Sequence, residues 1–144
     1  MEFSELPHIL AYTMKNPCAG IFEINYYVRQ PRYGRMLHSH EQYQYLIVTE
    51  GTVTLEYNGE VHTLTRGQFS LIPPDLDHVI YTEAGYSQMG FNFSLDLPLT
   101  GVMRQIETHF KEPIIGTDRR FVEKESEFVH QMVTGSVVAQ TRVV

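Results

Sequence analysis

Between residues 20 and 95 the chain is divided into short strand-like runs by residues that force it to reverse, and this spacing restricts the fold more than any other feature. The sharpest marker is Asn58-Gly59, a pair suited to a two-residue type I′ hairpin turn, which needs positive φ at both central positions. Residues 52–57 (TVTLEY) alternate cleanly before the turn, and residues 60–65 return after it. Upstream, residues 20–30 (GIFEINYYVRQ) are rich in β-branched and aromatic side chains and stop at Pro31, and residues 42–50 (QYQYLIVTE) break at Gly51. Downstream, Arg66-Gly67 turns the chain into a buried run at 68–72, and Pro73-Pro74-Asp75 is a rigid loop. Two further strands are expected at 78–83 and 86–95. Short, evenly spaced strands of this kind predict a small antiparallel barrel or sandwich rather than a parallel sheet.

The flanks have a different character. Pro7 and Pro17 interrupt residues 1–17, which read as an irregular arm. After Pro98, residues 102–110 and 118–133 exchange the two-residue period for a helical one. Phe121, Val122, Phe128, Val129, Met132 and Val133 fall on one side of the second helix, a stripe suited equally to packing on the chain's own barrel or to a dimer seam. The expected organisation is an arm over 1–19, a barrel over 20–98 and helices over 99–144. The ending at Val143-Val144 lacks a cap, as in a fragment whose continuation is missing.

Charge and composition exclude some roles. Seventeen acidic against eleven basic side chains give a formal charge of −6, a poor surface for gripping phosphates. Cys18 is the only cysteine, which rules out an internal disulfide. No apolar run approaches the roughly 20 residues of a membrane helix, and no N-terminal stretch has the form of a secretion signal, so the expectation is a cytoplasmic protein without a membrane partner.

Chemistry concentrates in His38-Ser39-His40 and in His78, which follows the proline loop. Alternate residues of a strand share a face, so His38, His40 and, on an unbulged strand, Gln44 point the same way. The even-numbered set Gln42, Gln44 and Leu46 is expected to face the barrel interior, with Tyr43, Tyr45 and Ile47 on the other side. Gln88 and Asn92 share a parity on the last strand and are candidates for the same cavity, although an exposed face would suit them too. Three readings of the histidines stay open. They hold a divalent transition metal (Zn, Ni, Fe or Cu) together with Gln44, they recognise an organic effector directly, or they hydrogen-bond within a barrel mouth.

The run from Gly34 through His38, His40 and Gln44 to Gly51, followed by Gly67, Pro73, Asp75 and His78, resembles the two motifs of the cupin superfamily. Two positions depart from it: Gln44 stands where metal-dependent cupins usually carry glutamate, and Asp75 where the loop usually carries glycine. An amide is a weaker ligand than a carboxylate for a hard ion. The segments HSHEQYQYLIVTEG (38–51), GQFSLIPP (67–74) and GFNF (90–93) are more closely similar to the N-terminal effector-binding half of AraC-type transcription regulators.

That resemblance implies a mostly β, cupin-type antiparallel barrel (double-stranded β-helix or jelly roll) with a C-terminal helical pair. It also implies a small-molecule effector, no required cofactor, a homodimer formed through the helices, and contact with DNA only through a separate domain that would need roughly another 100 residues. Ligand-binding positions would be His38, His40, Gln44, His78, Gln88 and Asn92, with no catalytic residue. The alternative is a metal-dependent cupin enzyme, a dioxygenase or isomerase, using His38, His40 and His78. A plain storage or scaffolding cupin is a third reading.

Overall fold

The computed structural model describes residues 11–18, 21–94, 109–120 and 123–124. Among the described residues nine strands follow one another: β1 (Ala11–Cys18), β2 (Ile21–Arg29), β3 (Tyr33–Gly34), β4 (Tyr43–Tyr57), β5 (Glu60–Thr65), β6 (Gln68–Ile72), β7 (Val79–Thr82), β8 (Tyr86–Phe93) and β9 (Ile114–Thr117). Every pairing is antiparallel. One sheet runs β1-β2-β8-β4-β6-β9, while β5 and β7 flank the far half of β4 and β3 pairs with β7.

β4 therefore belongs to both sheets, and its continuity corrects the expected break at Gly51. The ladder against β8 shifts between Val48 and Glu50, and Gly51 takes φ 74°. A bulge of this kind adds a residue and reverses the side-chain parity without ending the strand. Leu46 and Val48 before it and Val53, Leu55 and Tyr57 after it consequently join one core cluster with Leu64, Ile72 and Tyr86. On the opposite face, Tyr43 stacks on Phe93 and Phe110 at 5.1 and 5.8 Å, and Tyr45 on Phe91 and Phe69 at 5.0 and 5.6 Å. With both faces covered, residues 43–48 read as a nearly continuous apolar run.

The hairpin has the expected turn, with φ 48° at Asn58 and 78° at Gly59 and Tyr57 opposite Glu60. Part of the stretch read as an irregular lead-in is instead strand β1, paired only with β2 among the described residues. Its register shifts between Lys15 and Cys18, a bulge that contains Pro17, so the missing proline N–H leaves no gap in the ladder. β3 and β9 were too short to give a periodic signal. The expected helices at 102–110 and 118–133 lie outside the described residues except at 109–110, 118–120 and 123–124. Among the described residues no helix is long and apolar enough to cross a membrane.

Close strand packing over the interior depends on Gly90, where a Cβ would lie 2.4 Å from the Tyr45 carbonyl oxygen. Gly59, by contrast, faces open space. Gly90→Ala should cost about 3 kcal/mol through overpacking, and Gly59→Ala about 1 kcal/mol through its left-handed backbone alone. Urea denaturation of the two variants checks the order, and a Gly90→Ala midpoint equal to wild type would contradict this packing.

Candidate functional site

Backbone hydrogen bonds, rather than the imidazoles themselves, bring the histidines together. His38 N–H donates to the His78 carbonyl at 3.0 Å and His78 N–H to the His38 carbonyl at 2.9 Å, an isolated antiparallel bridge. Asp75 N–H donates to the His40 carbonyl at 2.8 Å. Asp75 reaches it from φ 60°, a left-handed conformation that aspartate tolerates better than most residues. The Pro73-Pro74-Asp75 loop is thus the clamp that holds His78 against His38 and His40. The ring centroids stand 4.3 Å (His38–His78), 5.1 Å (His40–His78) and 5.9 Å (His38–His40) apart.

Each ring has its Nδ1 against a carbonyl oxygen two residues away: Met36 for His38 at 3.0 Å, Gln42 for His40 at 2.9 Å and Leu76 for His78 at 2.8 Å. A carbonyl only accepts, so Nδ1 carries a proton in all three, and a ring with no second proton turns an Nε2 lone pair outward. At His40 that position faces the Gln44 side-chain oxygen at 2.7 Å. An amide oxygen only accepts, so the contact is a hydrogen bond when His40 Nε2 donates, or when the amide turns over to present its N–H to the ring's lone pair. His78 is fully buried, and its Nε2 has no hydrogen-bond partner. Burial pushes its pKa down to about 4; the His38 and His40 rings add to the depression and the Leu76 carbonyl opposes it.

Beside the histidines a cavity of about 400 Å³ opens within the barrel, lined by Tyr27, Arg29, Tyr33, Gly34, Met36, His38, Gln44, Ile80, Tyr86 and Gln88. Its floor is polar because β2 turns its odd-numbered residues inward. The ladders set Glu23 opposite Asn92, Asn25 opposite Gly90, Tyr27 opposite Gln88 and Arg29 opposite Tyr86. Asn25 and Tyr27 donate to Glu23 at 3.1 and 3.0 Å, and Lys15 pairs with the same carboxylate. Burial works to raise the Glu23 pKa, and the hydrogen bonds from Lys15, Tyr27 and Asn25 outweigh it, so the carboxyl stays below its usual range. Burial, with Glu23 adding to it, pushes the Tyr27 hydroxyl up to about 12. Gln88 donates to Asn25 at 3.2 Å and accepts from Tyr86.

The expected site residues separate into three groups. His38, Gln44 and Gln88 line the cavity, and His40 and His78 complete the histidine cluster behind it. Asn92 shares the interior face with Gln44, its partner in the ladder, but does not border the cavity, and its Oδ1 is buried without a partner. Arg29, Tyr27, Tyr33 and Tyr86 were not anticipated. The signal was present in the strict polar alternation of Glu23, Asn25, Tyr27 and Arg29, but such a pattern ordinarily marks a solvent face.

The histidines fit a metal ion in kind. Their candidate ligand atoms lie within 4.8 Å of one another, against the roughly 3.3 Å expected between ligands of a tetrahedral zinc ion, so binding would draw the rings inward. The Nδ1–carbonyl bonds are the outer support that ligating histidines ordinarily have, and the orphaned His78 Nε2 is a donor atom waiting for a partner. His38, His40 and His78 would hold the ion, with Gln44 as a weak fourth group.

The family model described as an AraC-like ligand binding domain matches residues 23–132, and the chain belongs to that family. The curated proteins contain no match to it. Among solved structures, a conserved protein of unknown function from Streptococcus pyogenes is similar at 14% identity and TM-score 0.54, over 61% of this chain and 75% of that one. A cupin superfamily protein from Desulfitobacterium hafniense is similar at 8% identity and TM-score 0.53, over 58% and 75%. Oxalate decarboxylase from Bacillus subtilis, whose structure was determined in a study of its Mn(II) centres, is similar at 14% identity and TM-score 0.51, over 61% of this chain but 26% of the enzyme. At these identities the likeness establishes the cupin fold alone.

His78 makes folding stability depend on pH with a definite sign. The ring binds a proton near pH 6.5 when unfolded and only near 4 when folded. Within that window the unfolded chain holds more protons, so stability is complete above about pH 6.5 and falls as pH drops toward 4. Metal-free, chelator-treated protein should lose about 2 kcal/mol between pH 7 and pH 5 from this group. Chemical denaturation at both values, on wild type and His78→Asn, checks this; the same acid loss in both proteins would rule out His78 as its source.

Proposed function

We propose that this chain is the effector-sensing domain of an AraC-type transcription regulator, taking a small molecule into the cavity beside His38. The observation that carries the reading is that cavity, about 400 Å³ with aromatic walls and a few convergent polar groups, in a chain of the AraC-like ligand-binding family. His38, His40, Gln44 and Gln88 orient the effector. Asn92, half-buried on the same face, shapes the floor from outside the cavity.

Occupancy acts by population shift. The effector favours one packing of the N-terminal arm and C-terminal helices, and only its difference in affinity between two arrangements does work. The helices join two copies, and a DNA-binding domain in the cytoplasm reads the change.

A second reading, a metal-dependent cupin enzyme, is favoured by the partnerless Nε2 of His78 at the centre of three imidazoles. A bound ion would polarise substrate or activate oxygen. Against it, Gln44 supplies a neutral amide where such an ion is better held by a carboxylate.

Fusion to an AraC-type DNA-binding domain tests the first reading. A ligand found by thermal shift should change the chimera's operator affinity about tenfold, within the usual range of allosteric coupling, and His40→Ala should weaken ligand binding by a similar factor while leaving the fold intact. Operator affinity indifferent to a bound ligand would remove the regulator. Elemental analysis of untagged protein addresses the second reading: near one equivalent of a transition metal, lost in the His38→Ala/His40→Ala variant, would favour the enzyme.

A further inference from the structure

Arg29 is the cavity residue whose charge nothing in the described fold answers. Its guanidinium carbon lies 3.9 Å from the centre of the Tyr27 ring and 4.3 Å from that of Tyr33. A guanidinium carries five N–H donors, and the Tyr86 hydroxyl, whose own proton goes to Gln88, is an oxygen near enough to accept one of them. Nε is buried and bonded to nothing. Among the described residues no carboxylate is found paired with Arg29, while Lys15 pairs with Glu23 and Arg35 with Glu83. Glu23, the acid on the same inner face of β2, is already neutralised by Lys15. A partly buried cation without a counterion is costly, and the cost disappears when an anion arrives.

We infer that Arg29 is the anchor for a carboxylate on the ligand, so that the cavity takes small organic acids with an apolar or aromatic body. This rests on the effector-binding reading and names its ligand class. The chemistry follows from which parts of the guanidinium are free. Its carbon sits over two tyrosine rings, which answer its charge without occupying its N–H groups, and a planar N–H pair matches a carboxylate with two parallel hydrogen bonds. A single cation in a chain of formal charge −6 balances one negative charge and is poorly matched to a polyanion. Tyr33, Met36, Ile80 and the ring of Tyr86 offer the organic body an apolar surround. Across the cavity, His38 and Gln44 meet a polar group at the other end of the molecule.

Matched probes that differ only in charge decide the matter. Calorimetric titration would compare phenylacetate with phenylacetamide and 4-methylpentanoate with 4-methylpentanamide, on wild type, Arg29→Gln and Arg29→Lys, with thermal melts to verify folding. At least one acid should bind wild type tenfold or more tighter than its amide. Arg29→Gln should abolish that preference, and Arg29→Lys, which keeps the charge and loses the planar fork, should retain part of it. Equal binding of acid and amide, unchanged by Arg29→Gln, would overturn the carboxylate anchor while leaving effector binding intact. Failure of every acid to bind at millimolar concentration would overturn it too, and if a wider panel of uncharged ligands also failed, the effector-binding reading would fall with it.

Discussion

The two-way backbone bridge between His38 and His78 is the contact on which the site's geometry depends. It joins the segment leading into β4 to the loop leading into β7, two stretches separated by β4, β5 and β6. The Asp75 N–H bonded to the His40 carbonyl adds a second tie across the same gap. Because both ties use main-chain groups, the imidazoles are held in place without spending their own hydrogen-bonding capacity on one another. Their Nδ1 atoms go to local carbonyls, while the Nε2 of His40 meets Gln44 and that of His78 is left without a partner. A scaffold of this kind tolerates exchange of the side chains at its mouth, which is one physical reason a single barrel can serve sensors and enzymes alike.

The interior is divided between a satisfied wall and an unsatisfied one. Glu23, Asn25, Tyr27, Gln88 and Tyr86 form a connected network in which donors and acceptors meet. Such a network is rigid when complete. Outside it stand atoms the protein leaves alone: Nε of Arg29, a donor, and Nε2 of His78, an acceptor when the ring is neutral. Arg35 does not relieve Arg29 of its role, since it pairs with Glu83 and lies over Tyr81, on the outer rim.

Much of this was legible from residues alone, where local chemistry and global fold agree. Asn58-Gly59 dictated its turn, and the His-x-His spacing together with the proline loop pointed to the histidine cluster. The inward parity of Gln44 and Leu46 followed from alternation. What failed to show was set by partners distant in sequence. Gly51 looked like a strand end because a bulge and a break share the same residue, and only pairing with β8 on one side and β5 and β7 beyond decides between them. Ala11–Cys18 looked irregular because a proline at a bulge is invisible without its neighbour strand. Arg29 was hidden by the rule that polar residues face water: β2 inverts that rule, burying Tyr26 and Val28 on one face while its polar residues build the cavity floor on the other.

Gln44 sets the chemistry beside His40. The ring's Nδ1 proton is committed to the Gln42 carbonyl and its Nε2 faces the Gln44 side-chain oxygen, and an amide can turn over to present N–H to a lone pair there where a carboxylate cannot. A glutamate at that position would set acceptor against acceptor and call for a proton or a metal ion between them. The amide adds no charge of its own to the cluster, and at the opposite end of the cavity stands the cation of Arg29. A ligand with an anionic head toward Arg29 and an uncharged polar tail toward the imidazoles is the shape of charge that completes the interior.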